Sequence, residues 1–339
     1  MSHGMNNNKL TKHFWVWPIA CYLFLGGLGG GMLFFAGLFD LIFSPMIGAS
    51  IGPVFALGVF IAVVALGIGS FLLVFELGQP FVFLRVFLSK TAIIKWGAVL
   101  LSVALIFGFV YFLFFLPPEW NLFFYGWTWI RDICCVVMMV TGICVVLYTG
   151  VLLSSFKARA FWNTPVLPVL FSVSALSTAS ALLAVTAGMW PAPELLAVSG
   201  FVVPMHDLSE VFVEYMHLID TVLVAVELII LLVYILMMYG AGNNTARKTA
   251  LNWLKGSYAP LFWGGLIICG LLLPFLFYLT GGVLAAVIAP ILVLSAGLLL
   301  RFMIVFSDVR RPIPGEERFY SRLPKGDEKF LTASETKSH

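Results

Sequence analysis

Eight apolar runs, separated by short polar breaks, account for most of this chain. A membrane span needs about 20 apolar residues. The runs fall at 17–43, 54–76, 92–116, 133–156, 166–189, 209–239, 260–279 and 282–306. Each is predicted to be a membrane helix, which makes the chain an all-α polytopic membrane protein with eight transmembrane helices. The last two runs are joined by a tight turn at Thr280, Gly281 and Gly282. An even number of spans puts both ends on one side.

The break between the fourth and fifth runs lies near the middle of the chain. Lys157 and Arg159 mark a charged turn, and Phe161 and Trp162 are aromatic residues of the kind that sit at a membrane interface. Asn163 or Thr164 is placed to cap the next helix, whose first turn tolerates Pro165. Pro168, one turn in, is a possible kink. Ser172, Ser174, Ser177, Thr178 and Ser180 follow, small enough to let neighbouring helices approach closely.

Charge gives the runs a direction. The ends and the breaks on their side contain Lys9, Lys12, Arg85, Lys90, Lys95, Lys157, Arg159, Arg247, Lys248, Lys255, Arg310 and Arg311. The opposite breaks carry Glu119, Asp132, Glu194, Asp207, Glu210 and Glu214, with Arg131 the one base. Lys and Arg are retained in the cytoplasm, so both termini are expected there.

Composition narrows the function classes. The chain is 61% hydrophobic and 10% charged, against about 25% charged in a soluble domain. No large soluble domain fits, and a nucleic-acid partner is not expected. The first run is too long for a cleavable signal. Cys21, Cys134, Cys135, Cys144 and Cys269 lie in apolar segments without a CxxC pair, so iron–sulfur and zinc sites are not supported. Of the five histidines, His217 alone falls inside a run, too few for a di-haem b-type cytochrome.

Three features carry candidate chemistry. Gly26, Gly27, Gly29, Gly30 and Gly31 give the first helix a close-packing face, or leave a gap for a flat ring. Glu76 ends the second run just before Gly78 and Pro80. It reads either as an interfacial acid paired with Arg85 or Lys95, or as a proton acceptor at a redox site. From just before the sixth run through its first half, Asp207, Glu210, Glu214, His217, Asp220 and Glu227 fall within a face of about 160°. A bare carboxylate at the bilayer centre is costly, so Glu227 must face protein or water. Glu214 and Asp220 flank His217 and are expected to favour its protonated form. The row reads as an amphipathic entry with one acid bridging helices, or as a proton-access path.

Four motifs resemble the polysulfide reductase membrane-subunit family, the NrfD-like proteins. They are FWVWPIACYLFLGGLGGG at 14–31, FELGQP with KWGAVLL across 75–101, YTGVLLSS with FWNTPVLPVLFSVSALS across 148–177, and HLIDTVLVAVELIIL at 217–231. The resemblance implies two four-helix bundles: 17–156, holding a quinone site, and 157–306. A polar segment, 1–16, precedes them and a polar tail, 307–339, follows. It implies no haem, metal or iron–sulfur cluster in the chain itself, and menaquinone or ubiquinone as a bound substrate. The implied partners are a four-cluster-type iron–sulfur subunit and a molybdopterin catalytic subunit, in a bacterial or archaeal inner membrane.

In the family the quinone head group binds near the start of helix one and the end of helix four, where Trp17, Tyr22 and Tyr148 match. Ile19 and Tyr22 stand where one branch has asparagine and histidine, and Gln79 stands where many members have arginine. Tyr22 and Tyr148 suit donation to quinone carbonyls, with Glu76 and His13 nearby and Trp15 and Trp17 as walls. His217, Asp220 and Glu227 are the candidate proton path. Many family members work with partners outside the cytoplasm, whereas the basic face here places the quinone end and its partners inside. The alternative is a proton-coupled small-molecule transporter using the acidic sixth helix. A third reading is a structural anchor without a quinone site.

Overall fold

A computed structural model describes residues 17–47, 50–76, 93–116, 127–156, 159–189, 195–198, 201–240 and 244–307. Eight helices among them are long and apolar enough to cross a membrane. They are α1 (Trp17–Ile47), α2 (Gly52–Glu76), α3 (Ile93–Leu113), α4 (Thr128–Ser154), α5 (Val166–Thr186), α6 (Met205–Gly240) and two spans that change helical type. The first of these is a π-helix over Leu261–Leu272 that tightens into α8 (Leu273–Thr280). The second begins with a π turn at Leu284–Ile288 and continues as α9 (Ala289–Ser307). Apolar runs become helices because lipid offers the backbone no hydrogen-bond partner.

Two elements fall outside the eight-run pattern. A β-hairpin, β1 (Leu195–Val198) with β2 (Phe201–Pro204), pairs antiparallel before α6, with Leu195 opposite Pro204. A short helix, α7 (Asn244–Lys255), precedes the seventh span. Its Ala246, Thr249, Ala250 and Trp253 are buried, while Arg247, Lys248 and Lys255 are exposed.

Helix α1 is the most enclosed of the described spans. It packs on α2 and α4, and also on α5 and α9, so it is the seam between the first four helices and the rest. Its glycines serve close packing rather than a gap for a ring. A Cβ on Gly142 of α4 would stand 2.5 Å from the Gly30 carbonyl oxygen, and one on Gly31 would stand 2.7 Å from the Ala179 Cβ of α5.

Near its far end α1 carries a buried acid, Asp40. One carboxylate oxygen accepts from Ser44 Oγ, from Ser50 Oγ at 3.1 Å and from the Ile51 N–H at 3.2 Å. The other accepts from Tyr111 Oη of α3 at 2.9 Å and Cys135 Sγ of α4 at 3.3 Å. Arg131 lies 3.8 Å away and also pairs with Asp132 at 2.7 Å. One carboxylate thus ties α1, α2, α3 and α4 together.

The α4–α5 turn differs from the interfacial expectation. Phe161 and Trp162 are 0% and 1% exposed. The reason is partner chemistry: Tyr234 of α6 donates to the Phe161 carbonyl at 2.6 Å, and Trp162 Nε1 donates to the Ile304 carbonyl of α9 at 2.9 Å. With those polar groups satisfied, both rings enter the interior. The Arg159 guanidinium lies 5.1 Å from the centre of the Trp162 ring. Thr164 assists the helix start, its hydroxyl accepting from the Val166 N–H at 3.3 Å. At Pro168 the chain makes a close approach, since a Cβ on Gly150 of α4 would overlap the Pro168 backbone.

Candidate functional site

The start of α1 and the end of α4 bring two tyrosines together. Tyr22 is 1% exposed and Tyr148 7%, close enough to interact electrostatically. Tyr22 reaches α2 beside Gly69: a Cβ there would lie 3.6 Å from Tyr22 Cδ2. Tyr148 lies against α3, where a Cβ on Gly97 would overlap its ring. Gly97 belongs to the KWGAVLL motif, so that motif supplies a flat bed for the ring.

Neither tyrosine hydroxyl has a hydrogen-bond partner among the described residues, although both atoms are buried. Leaving a buried hydroxyl unpaired costs about 1–3 kcal/mol. The two hydroxyls are thus donors without acceptors among the described residues.

Trp17, at the first position of α1, is 53% exposed and stands at the edge of this region. Glu76 is the last residue of α2, two turns beyond Gly69 and hence about 10 Å along the axis. The Glu76 side chain lies outside the described residues, as do His13, Trp15, Gln79 and Arg85.

The sixth span sorts its polar row by depth. Asp207 and Glu210 are exposed, with His206 Nδ1 at 3.8 and 3.6 Å. Glu214, His217, Thr221 and Tyr278 line a cavity of about 620 Å³ beside the Gly281–Gly282 turn. Both glycines have positive φ, 70° and 75°, a backbone region that favours glycine.

Past the cavity Asp220, 0% exposed, accepts from Ser177 Oγ of α5 and Tyr278 Oη of α8, each at 2.6 Å. The flanking acids do not hold the His217 ring as the sequence pattern suggests. Asp220 turns to its two hydroxyl donors, and among the described residues no carboxylate is within ion-pair distance of His217. The imidazole instead lies 5.3 Å from the Tyr278 ring, with Nε2 unpartnered.

Deeper still are Glu227 and Arg301. Arg301 of α9 is fully buried and donates to Ser174 Oγ at 2.6 Å, the Gly297 carbonyl at 2.8 Å and the Phe171 carbonyl at 3.3 Å. Glu227 interacts with the same Ser174 and with the Arg301 charge. Burial of this arginine requires both an opposite charge and hydrogen bonds, and the site supplies them. Gly27 and Gly297 make room for the guanidinium, which also lies 5.8 Å from the Phe24 ring of α1.

The polar groups therefore run from the cavity through His217, Tyr278, Asp220 and Ser177 to Ser174, Glu227 and Arg301. They end against α1 within two residues of Tyr22. Asp220 and Glu227, two of the residues singled out in the sixth run, are both buried among these groups. Arg301, Tyr278 and Asp40 were not among the residues singled out by the sequence. Arg301 and Asp40 carry the one signal that finds such residues, an ionisable group inside an apolar span.

Known proteins resemble the chain along most of its length. The family described as polysulphide reductase, NrfD, matches residues 5–309. The C subunit of polysulfide reductase from Wolinella succinogenes is 31% identical over 278 residues, covering 77% of this chain and 81% of that protein. Protein NrfD of Escherichia coli is 25% identical over 317 residues, 86% of this chain and 94% of that one. A NrfD homolog of Haemophilus influenzae is 24% identical over 277 residues, 77% of this chain and 81% of that one. With eight apolar spans in place and a match from residue 5 to residue 309, this multi-pass membrane protein belongs to the polysulphide reductase NrfD family.

Proposed function

We propose that the chain is the quinone-reactive membrane subunit of a multi-subunit oxidoreductase, passing electrons between the membrane quinone pool and an iron–sulfur partner. The observation that carries this reading is the pair of orphaned hydroxyls on Tyr22 and Tyr148. A quinone head group has two carbonyl oxygens and needs donors within an apolar slot. The two tyrosines supply such donors. Oxidation of a quinol releases two protons and two electrons. Glu76, at the end of α2, is assigned one of the two protons, and the other leaves to water on the same face. The electrons leave to the partner subunit, since this chain is assigned no redox centre of its own.

The partner of this reading is a four-cluster-type iron–sulfur subunit serving a molybdopterin catalytic subunit, docked on the basic, cytoplasmic face. Membership of a family named for polysulfide reductase supports the assembly, and the basic loops suit an acidic partner. The same reading makes the quinone menaquinone or ubiquinone.

Tyr148→Phe is expected to lower quinol-linked turnover about tenfold in membranes while leaving the amount of assembled complex unchanged. Glu76→Gln is expected to act in the same direction. Wild-type turnover in both variants would sink the site assignment. Mass spectrometry of what purifies with the tagged protein tests the partners, and the export signals of those partners test the sidedness. A protein that repeatedly purifies alone and intact favours the transporter reading instead.

Proton transfer through the second half extends this function. The succession of polar groups from the 620 Å³ cavity through Asp220 to Arg301 supports it, because it leads from a solvent-sized space into the protein interior against α1. A correctly assembled Glu227→Gln variant is expected to carry electrons with fewer protons moved per electron. An unchanged ratio in reconstituted vesicles would remove the row from the mechanism.

A further inference from the structure

The seventh and eighth spans leave a groove between them at the end of the molecule where α7 lies. It holds about 470 Å³ and is lined by residues including Tyr258, Leu261, Leu298, Leu299, Phe302 and Phe306. Apart from the Tyr258 hydroxyl, these six side chains are hydrocarbon. Phe302 and Phe306 stack with centroids 5.6 Å apart and planes within 5°, which makes one wall flat. Opposite, the π segment brings Gly265 against Leu299, so close that a Cβ would stand 2.8 Å from Leu299 Cδ2. Leu261 and the neighbouring Trp263 are 47% and 44% exposed, so the groove opens sideways, towards lipid.

The mouth of the groove is basic. Tyr258 is three residues after Lys255, within about 11 Å along the chain. Trp263 Nε1 donates to the Leu254 carbonyl at 3.2 Å, which fixes the first turn of the span to the last turn of α7. Helix α7 carries Arg247, Lys248 and Lys255 and no acid. All three are exposed, and none has an ion-pair partner among the described residues. Arg247 sits over the ring of Tyr239, itself 42% exposed, at 5.2 Å. Tyr239 and Trp263 are aromatic residues of the sort that mark headgroup depth.

We propose that the groove and the last turn of α7 form a binding site for an anionic phospholipid. An acyl chain lies along Phe302 and Phe306, the phosphate meets Lys255, and Arg247 and Lys248 extend the basic surface. Charge complementarity selects this occupant. A quinone tail would fill the groove but leave the cations unmatched. An acidic soluble partner would match the cations but leave the groove open. An anionic lipid satisfies both.

The test uses the purified full chain, with any subunits that accompany it, in nanodiscs of equimolar phosphatidylcholine and phosphatidylglycerol. Lipids retained after transfer to detergent are identified by native mass spectrometry. Wild type is expected to retain phosphatidylglycerol over phosphatidylcholine. Lys255→Gln should weaken that retention about fivefold, and adding Arg247→Gln and Lys248→Gln should weaken it further. Leu298→Trp, which fills the groove and leaves every cation in place, should also lower it. Equal retention of the two lipids by wild type would overturn the proposal. So would undiminished phosphatidylglycerol in the Lys255→Gln or Leu298→Trp protein, or a quinone retained in the groove in place of lipid.

Discussion

Near one end of α1 the Asp40 carboxylate is surrounded by donors, while near the other the hydroxyls of Tyr22 and Tyr148 have no partner among the described residues. Both centres are polar, buried and built where α1 meets α2, α3 and α4. The difference separates two uses of polarity in a membrane protein. A satisfied centre lowers the free energy of the fold and holds helices in register. An unsatisfied one raises it and persists because something else completes it. Asp40 belongs to the scaffold, and in the function proposed above the tyrosine pair belongs to the site.

The comparison can be broken from either side. Asp40→Ala removes the acceptor for Tyr111 and Ser50 and leaves the Ile51 N–H with Ser44 alone and Arg131 with Asp132 alone; with several buried donors affected, it is expected to destabilise the protein by about 3–5 kcal/mol. Unfolding in mild detergent reads this directly. Tyr111→Phe, which deletes one satisfied hydroxyl, should cost about 1–3 kcal/mol. Tyr22→Phe deletes one orphaned hydroxyl and should stabilise the protein, by up to about 1–3 kcal/mol, while lowering quinol turnover. The last two variants remove the same single oxygen. If Tyr22→Phe destabilises as much as Tyr111→Phe, the division between scaffold and site fails.

The amino-acid pattern made the spans legible because a helix in lipid must be long and apolar. The expected start at Val166 and the expected end at Glu76 coincide with α5 and α2. The enclosure of Glu227 was legible too, since an acid at that depth must face protein or water, whereas the burial of Asp220 was not. Nor were the partners of either. Ser177 and Tyr278 meet Asp220 from helices 43 and 58 residues away, and no local spacing encodes such a meeting. Phe161 and Trp162 looked interfacial because sequence reveals amphipathic rings but not acceptors on α6 and α9. Helix α7 had a readable signature, with Ala246, Thr249, Ala250 and Trp253 at helical spacing, but it is too short and polar to register as a span.

The buried turn at Phe161 and Trp162 also bears on how the protein is made. Its two fastenings join residues 73 and 142 positions apart. At about 5–20 residues per second, Trp162 leaves the ribosome on the order of ten seconds before Ile304 does. Through that interval the indole N–H must be met by water or headgroups, and the Phe161 carbonyl likewise until Tyr234 has been made. The turn is thus closed by α9, the last of the described helices to be made. A nascent chain released short of residue 304 keeps an open turn that a quality-control protease can reach.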